Sequence, residues 1–247
     1  MARLTGRLQT LLRLLSLQAS WTYERMQGVG VGFSSEPLLR PLGAVDKARY
    51  REALGRATAF FNANPFLAPA AVGAEARAEF DGTPGPQVDR LRTALCGPLG
   101  SLGDRLFWTG LVPALASATV AAVALGAGPW PVLVFVVVHN AIRIGLAAWL
   151  LDLGWRHGLR VGGAISASPL PRASTLAGLA AAAVGAFALP PAADWLMGDE
   201  TRREVFGVLV LVALLLVARR IAGHRASAST LTLALVAGVL LWHWSTA

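Results

Sequence analysis

Two apolar runs set the kind of fold open to this chain. Phe107 to Leu125 and Pro131 to Leu151 are almost bare of charge, and Gly126 to Trp130 joins them in a tight turn. At about 1.5 Å per residue, each is long enough to cross a hydrocarbon core of about 30 Å as a helix. The helix suits that medium because it satisfies its own backbone polar groups. Of the 247 residues, 55% are hydrophobic and 15% charged, and the mean hydropathy is +0.54. A soluble domain carries about 25% charge. The expected fold is an α-helical integral membrane protein with amphipathic N-terminal helices, re-entrant Gly/Pro-rich hairpin elements and about five hydrophobic segments.

The stretch CGPLGSLGDRLFWTGLVP, from Cys96 to Pro113, leads into the first of these runs. Gly97, Pro98, Gly100 and Gly103 precede a lone carboxylate at Asp104, and Trp108 follows. Glycine admits positive φ and proline removes a donor, so the stretch reads as a broken or re-entrant element beside Asp104. Non-helical backbone at membrane depth persists only where it is buried in protein or lines a polar cavity, which makes it a candidate binding site. The plainer alternative is that Asp104 caps a helix beginning at Arg105 or Leu106. In the second run His139, Asn140 and Arg143 are three or four apart and form a polar seam on one helical face, turned to a bundle interior or a pathway.

Upstream, apolar residues at Leu4, Leu8, Leu11, Leu12 and Leu15 mark a basic amphipathic helix on the membrane surface or a partner helix; Arg13 interrupts any signal-peptide core. In SWTYERMQG, Glu24 and Gln27 share a face if helical. A carboxylate beside an amide and an aromatic suits a neutral polyol, although an ordinary interfacial helix fits the spacing too. Asp46 to Phe61 reads as a polar-faced helix, with Asn62-Ala63-Asn64-Pro65 as its stop. Ala74 to Phe80 and Val88 to Leu95 read as further short helices.

Downstream, Ser174 to Leu189 is rich in Ala and Gly, which suits close packing in lipid. Val205 to Ala218 and Thr230 to Trp244 are shorter and either span with adjustment or re-enter. Arg156, Arg160 and Arg172 flank one loop and Arg219, Arg220 and Arg225 another, whereas Asp194, Asp199 and Glu200 dominate the loop between. By the positive-inside rule the N-terminal third is cytoplasmic and the C-terminus outside.

The charge balance of +8 is a topology signal and a contact with anionic lipid, not a nucleic-acid footprint, because no basic stripe interleaved with aromatics is present. A single cysteine, Cys96, excludes an intrachain disulfide framework, and the histidines lack metal-ligand spacing. No Walker, Rossmann or nucleophile-elbow motif occurs, and the GVGVG of Gly28, Gly30 and Gly32 lacks a βαβ context. No cofactor is expected. A membrane enzyme using Asp104 and His139 as acid and base has little support, since no nucleophile or metal set accompanies them.

Taken together and in order, SWTYERMQG, FFNANPF, GPLGSLGDRLFW and the Asn140/Arg143 pair resemble the IID subunit of the mannose/fructose/sorbose family of the bacterial sugar phosphotransferase system. The resemblance covers about Leu4 to Gly158 and rests on hydropathy beyond it. It implies an inner-membrane permease subunit that pairs with a IIC subunit, with a hexose held between them and phosphorylated by cytoplasmic IIB, itself recharged by IIA. It also implies a higher oligomer of the IIC–IID pair and no phosphorylated residue in this chain. By resemblance, Glu24, Gln27, Asn62, Asn64 and Asp104 stand nearest the sugar, with Trp108, Asn140 and Arg143 as gating or packing residues. The chain then divides into 1–95, a cytoplasmic-face region with part of the site; 96–158, the Gly-rich element and membrane hairpin; and 159–247, the C-terminal segments. Thr22, Arg105 and Val112 depart from the family, which usually has Asn, a small residue or Pro, and Arg at these places. The alternative they leave open is a transport-inactive regulatory or scaffold protein of the same fold.

Overall fold

A computed structural model describes residues 6–196, and among these every regular element is a helix. They fall into two compact units, one of residues 6–119 and 128–185, the other of 120–127 and 186–196. The larger unit contains the candidate site. The expected segments Val205 to Ala218 and Thr230 to Trp244 lie outside the described residues.

Helix α1, Arg7–Leu14, is the basic amphipathic helix of the N-terminus. It lies against α7, Trp130–His157, through a bidentate pair in which Arg7 Nε and Nη2 donate to Asp152 at 2.8 and 2.9 Å. A turn follows, and then α2, Gly28–Val45, which the sequence reading does not foresee because Pro37 and Pro41 sit inside it. A proline lacks the N–H that would reach back four residues. The acceptor left without it by Pro37 is Phe33 O, and Arg13 of α1 supplies Nη1 there at 2.8 Å. The alternating glycines also find their reason. A side chain at Gly28 or Gly32 would strike Thr58–Ala59, and one at Gly30 would strike Leu17.

Helix α3, Lys47–Ala57, starts where the sequence places it, with Asp46 accepting from the backbone N–H groups of Ala48 and Arg49. It ends before the Asn-Pro motif, so that motif is a loop of its own rather than the helix stop. Helix α4, Ala68–Phe80, is longer than expected and is buried on nearly every side. Its Ala- and Gly-rich sequence lets it press along α7, where Gly73 faces Leu151 and Trp155 and Gly154 faces Ala70 and Ala74.

The Cys96–Pro113 stretch corrects the sequence reading most. It is neither a re-entrant turn nor a cap. Helix α5 runs without interruption from Gly85 to Leu106 and takes in Val88 to Leu95, Pro98 and Asp104, so Asp104 is mid-helical. The break comes just beyond, as a π-helical turn over Phe107–Leu111, with Val112 N–H reaching back to Phe107 O before α6, Val112–Ala124. Pro113 gives a cause: it cannot donate to the carbonyl four residues earlier and would crowd it, and a wider turn relieves both. After α7 come a 3₁₀ turn at Gly158–Arg160, α8 at Val161–Ser166 and α9 at Leu170–Leu196.

Three stretches, Gly85–Ala124, Trp130–Ser166 and Leu170–Leu189, are long and apolar enough to cross a membrane. Their exposed large side chains, among them Val132, Leu133, Val134, Val136, Val137, Leu176 and Leu179, are what lipid-facing helices require. The two expected apolar runs, Phe107–Leu125 and Pro131–Leu151, are helical, the first as the π-helical turn with α6 and the second within α7. Of about five expected segments, these three are the ones the described residues contain.

Candidate functional site

Three segments distant in sequence meet at one place: the turn at 22–27, the loop at 58–66 and the end of α5. The first two pair through backbone. Gln27 N–H donates to Phe61 O at 2.9 Å, Phe61 N–H to Arg25 O at 3.3 Å, and Met26 takes φ 50 to make the reversal. Glu24 and Gln27 therefore do not share a helical face, since the chain between them is a turn closed by Thr22 and Met26. Glu24 points out to solvent. Gln27 is buried, and its amide grips the loop from both ends, with Nε2 donating to Ala63 O at 2.8 Å and Oε1 accepting from Ala63 N–H at 3.3 Å.

The loop meets α5 through Asn64. Only 2% of Asn64 is exposed; its Nδ2 donates to Asp104 Oδ1 at 2.9 Å and its Oδ1 accepts from Phe66 N–H at 3.0 Å. Gly103 makes the approach possible, because a Cβ there would overlap the Asn64 side chain. Asp104 is exposed and keeps Oδ2 available, and Asn62 is exposed on the same loop. Asn64 and Asp104 thus come together. Gln27 stands one residue of loop away, and Glu24 and Asn62 lie on the two backbone-paired segments.

Beside the amide–carboxylate pair is an aromatic cluster centred on Phe66. Its ring lies 4.4 Å from Phe107, 5.5 Å from Trp108 and 5.9 Å from His139, centroid to centroid. The Arg143 guanidinium covers Phe66 at 5.3 Å and donates to Leu15 O at 3.3 Å. His139 and Arg143, one turn apart on α7, thus both face the loop. Asn140 instead turns back on its own helix, donating to Val136 O at 2.8 Å. Trp108 sits in the π-helical turn, one turn beyond Asp104, with 50% of its surface exposed.

Phe66 and Phe107 were not singled out from the sequence. A third phenylalanine in FFNANPF was the signal for Phe66, and the FW pair for Phe107. Arg92 was missed altogether. It is nearly fully buried on α5 and pairs with Glu75 of α4 at 2.6 Å. Among the described residues no group of three His, Cys, Asp or Glu side chains converges to hold a metal ion.

An accessible carboxylate, an amide fixed against it and a half-exposed indole can bind hydroxyl groups by charge-assisted and neutral hydrogen bonds while a ring covers an apolar C–H face. With three stretches long and apolar enough to cross a membrane, the fold is that of an α-helical integral membrane protein. The family model described as PTS system mannose/fructose/sorbose family IID component matches residues 5–189, and the chain belongs to that family of the bacterial inner membrane.

The mannose-specific EIID component of Escherichia coli (strain K12) is 30% identical over 155 residues, which is 61% of this chain and 54% of that relative. The fructose permease IID component of Bacillus subtilis (strain 168) is 32% identical over 153 residues, 59% of this chain and 54% of the relative. The chain spans about half the length of the curated relatives it matches. Among solved structures, a membrane protein superposes with TM-score 0.63 at 26% identity, over 76% of this chain and 70% of that one. The cryo-EM structure of the mannose transporter ManYZ with microcin E492 has TM-score 0.57 at 24% identity, over 80% of this chain and 72% of that one, a likeness of fold.

Proposed function

We propose that this chain is the IID membrane subunit of a sugar group-translocation system. It binds a hexose of the mannose, fructose or sorbose type together with a IIC subunit and carries it inward while IIB phosphorylates it. The observation that carries this reading is the Asn64–Asp104 pair beside exposed Trp108, held against a wide turn between α5 and α6. A hexose hydroxyl both donates and accepts. Asp104 accepts; the exposed amide of Asn62 can do both; the Trp108 ring covers the C–H face. Each buried polar group left unmet costs about 1–3 kcal/mol, so a sugar with a misplaced hydroxyl is rejected by what it fails to satisfy.

Gln27 and Asn64 serve this site by position, because their amides are already committed to Ala63, Phe66 and Asp104. Glu24 reaches the sugar from the turn beside the loop. Arg143 packs on Phe66, and Asn140 packs within α7. Phosphoryl transfer takes place on IIB and IIA, with the N-terminal region at the cytoplasmic face and the IIC–IID pairs assembled into a larger oligomer.

The test is uptake of radiolabelled mannose, fructose and sorbose by cells expressing this chain with its IIC and IIB partners, alongside copurification with IIC. Uptake of one of them supports the reading. Copurification without uptake of any replaces transport by a scaffold role, the alternative that the departures from the family at Thr22, Arg105 and Val112 leave open.

A further inference from the structure

Arg92 belongs to none of the family motifs, yet it is only 3% exposed and all its hydrogen bonds go inward. Nε donates to Phe60 O at 3.1 Å, Nη1 to Glu75 Oε2 at 2.6 Å, and Nη2 to Ala57 O at 2.9 Å and Ala59 O at 2.8 Å. Its guanidinium also covers the Phe61 ring at 5.1 Å. Three of these acceptors are backbone carbonyls at the end of α3 and the start of the loop that carries Asn62 and Asn64. Ala57 O, in the last turn of α3, has no intrahelical donor of its own, and the negative end of the helix dipole favours a cation there.

The same helix meets this loop twice. Arg92 holds its beginning, and further along α5 Asp104 receives Asn64 at its end. Because α5 is continuous between the two, the separation of the anchor points is fixed by helical rise and not by the loop. The other side of the loop is held by the backbone pairing at Met26–Phe61 and by Gln27 on Ala63. Asn62 lies between the anchors with its side chain exposed.

We infer that Arg92 is a positioning residue of the sugar site, using α5 as a ruler that sets where Asn62 and Asn64 stand relative to Asp104. The inference rests on the sugar site proposed above. A guanidinium is required because its planar fork reaches several carbonyls and a carboxylate at once, which the compact ammonium of lysine cannot do. Glu75 holds the cation in the interior, and its side-chain hydrogen bond goes to Arg92 and not to the loop.

A structural role alone predicts something different from a positioning role. Removing both charges of a buried pair often leaves folding intact, but it leaves the three carbonyls without their donor. Two variants therefore decide the matter, Arg92→Lys and the paired Glu75→Gln with Arg92→Met, each measured in the full chain coexpressed with IIC and IIB. The readouts are copurification with IIC, and KM and maximal rate for whichever of mannose, fructose or sorbose the wild-type chain takes up. The expected result is retained copurification with a KM raised about tenfold or more and a much smaller change in maximal rate, as displaced binding groups produce. Wild-type KM in either assembled variant overturns the inference, and so does failure of both variants to assemble, which would make Arg92 a folding residue. Asp104→Asn is run in parallel. If it also leaves KM unchanged, the sugar site itself is misplaced; if it alone raises KM, only the positioning role of Arg92 falls.

Discussion

Asn64 reaches Asp104 only because residue 103 has no side chain. The Nδ2–Oδ1 hydrogen bond of 2.9 Å crosses directly over Gly103, where a Cβ would overlap Asn64. Gly103→Ala should therefore push the loop off α5, at a cost of about 1–3 kcal/mol for overpacking a fitted contact. The expected outcome is a lower thermal midpoint of the purified protein in detergent together with impaired uptake. Unchanged values of both would mean that the loop stands further from α5 than this contact requires.

Asp104→Asn keeps an acceptor for Asn64 and removes only the charge. Hydrogen bonds to charged groups contribute about 1.5–3 kcal/mol, so the variant should lose roughly ten- to a hundredfold in apparent sugar affinity while still copurifying with IIC. Glu24→Gln should act in the same direction, since Glu24 is exposed and makes no side-chain hydrogen bond among the described residues. Equal loss of assembly and uptake would show instead that these carboxylates are structural.

Trp108 is half exposed although Phe66 packs against it at 5.5 Å. If its free face covers a sugar ring, Trp108→Phe should keep most of the affinity and Trp108→Ala should lose about 1 kcal/mol, roughly fivefold. Binding of the transported sugar to the purified complex, by calorimetry, checks this. An alanine variant with wild-type affinity would assign the indole to lipid.

The parts of the fold that the sequence made legible are those governed by one periodicity or one local bond. The leucines of α1, the start of α3 at Asp46 and the long apolar runs of α6 and α7 are of this kind. Helix α2 was not legible because Pro37 and Pro41 argue against a helix locally, and the compensating donor, Arg13, arrives from another element. The Cys96–Pro113 stretch misled for a related reason: Gly103 and Gly110 are there for close approach, to Asn64 and to Ala177, and not for a turn. At the candidate site, Asn64 is expected from the family resemblance alone, and Asp104 also from the Gly-rich stretch around it. Their hydrogen bond, the aromatic cluster around Phe66 and the clamp at Arg92 depend on contacts between distant segments that no spacing along the chain records.

Glu75 should leave a signature in the pH dependence of stability. Burial pushes its carboxyl from 4.5 up to about 7, against the opposing pull of Arg92. A group that holds its proton more tightly in the folded state stabilises the fold in acid. That contribution is fully present below the unfolded value and is lost as the pH rises through about 7. Relative to Glu75→Gln, which does not titrate, the wild-type chain should therefore lose stability between about pH 4.5 and neutrality, read from thermal midpoints across that range. A constant difference, or one that grows with pH, would mean that Arg92 keeps Glu75 ionised throughout.

The contact of α4 with α7 offers a test within a single helix. Gly73 of α4 meets Leu151 and Trp155, and Gly154 of α7 meets Ala70 and Ala74, so two glycines let the backbones touch. A methyl group at either should force the helices apart and destabilise the fold by about 1–3 kcal/mol. The two should be less than additive, because a gap opened by the first relieves the second. Gly145, also on α7, has nothing within 4 Å of the position a Cβ would take. There the same substitution adds helix propensity without a clash, and Gly145→Ala should be neutral or stabilising by up to about 1 kcal/mol. Thermal unfolding of the three single variants and the Gly73/Gly154 double variant in one detergent gives the comparison. Tolerance of alanine at Gly73 and Gly154 equal to that at Gly145 would show that α4 is not seated against α7 at backbone distance, and with it would go the framework from which the loop at Asn64 is held.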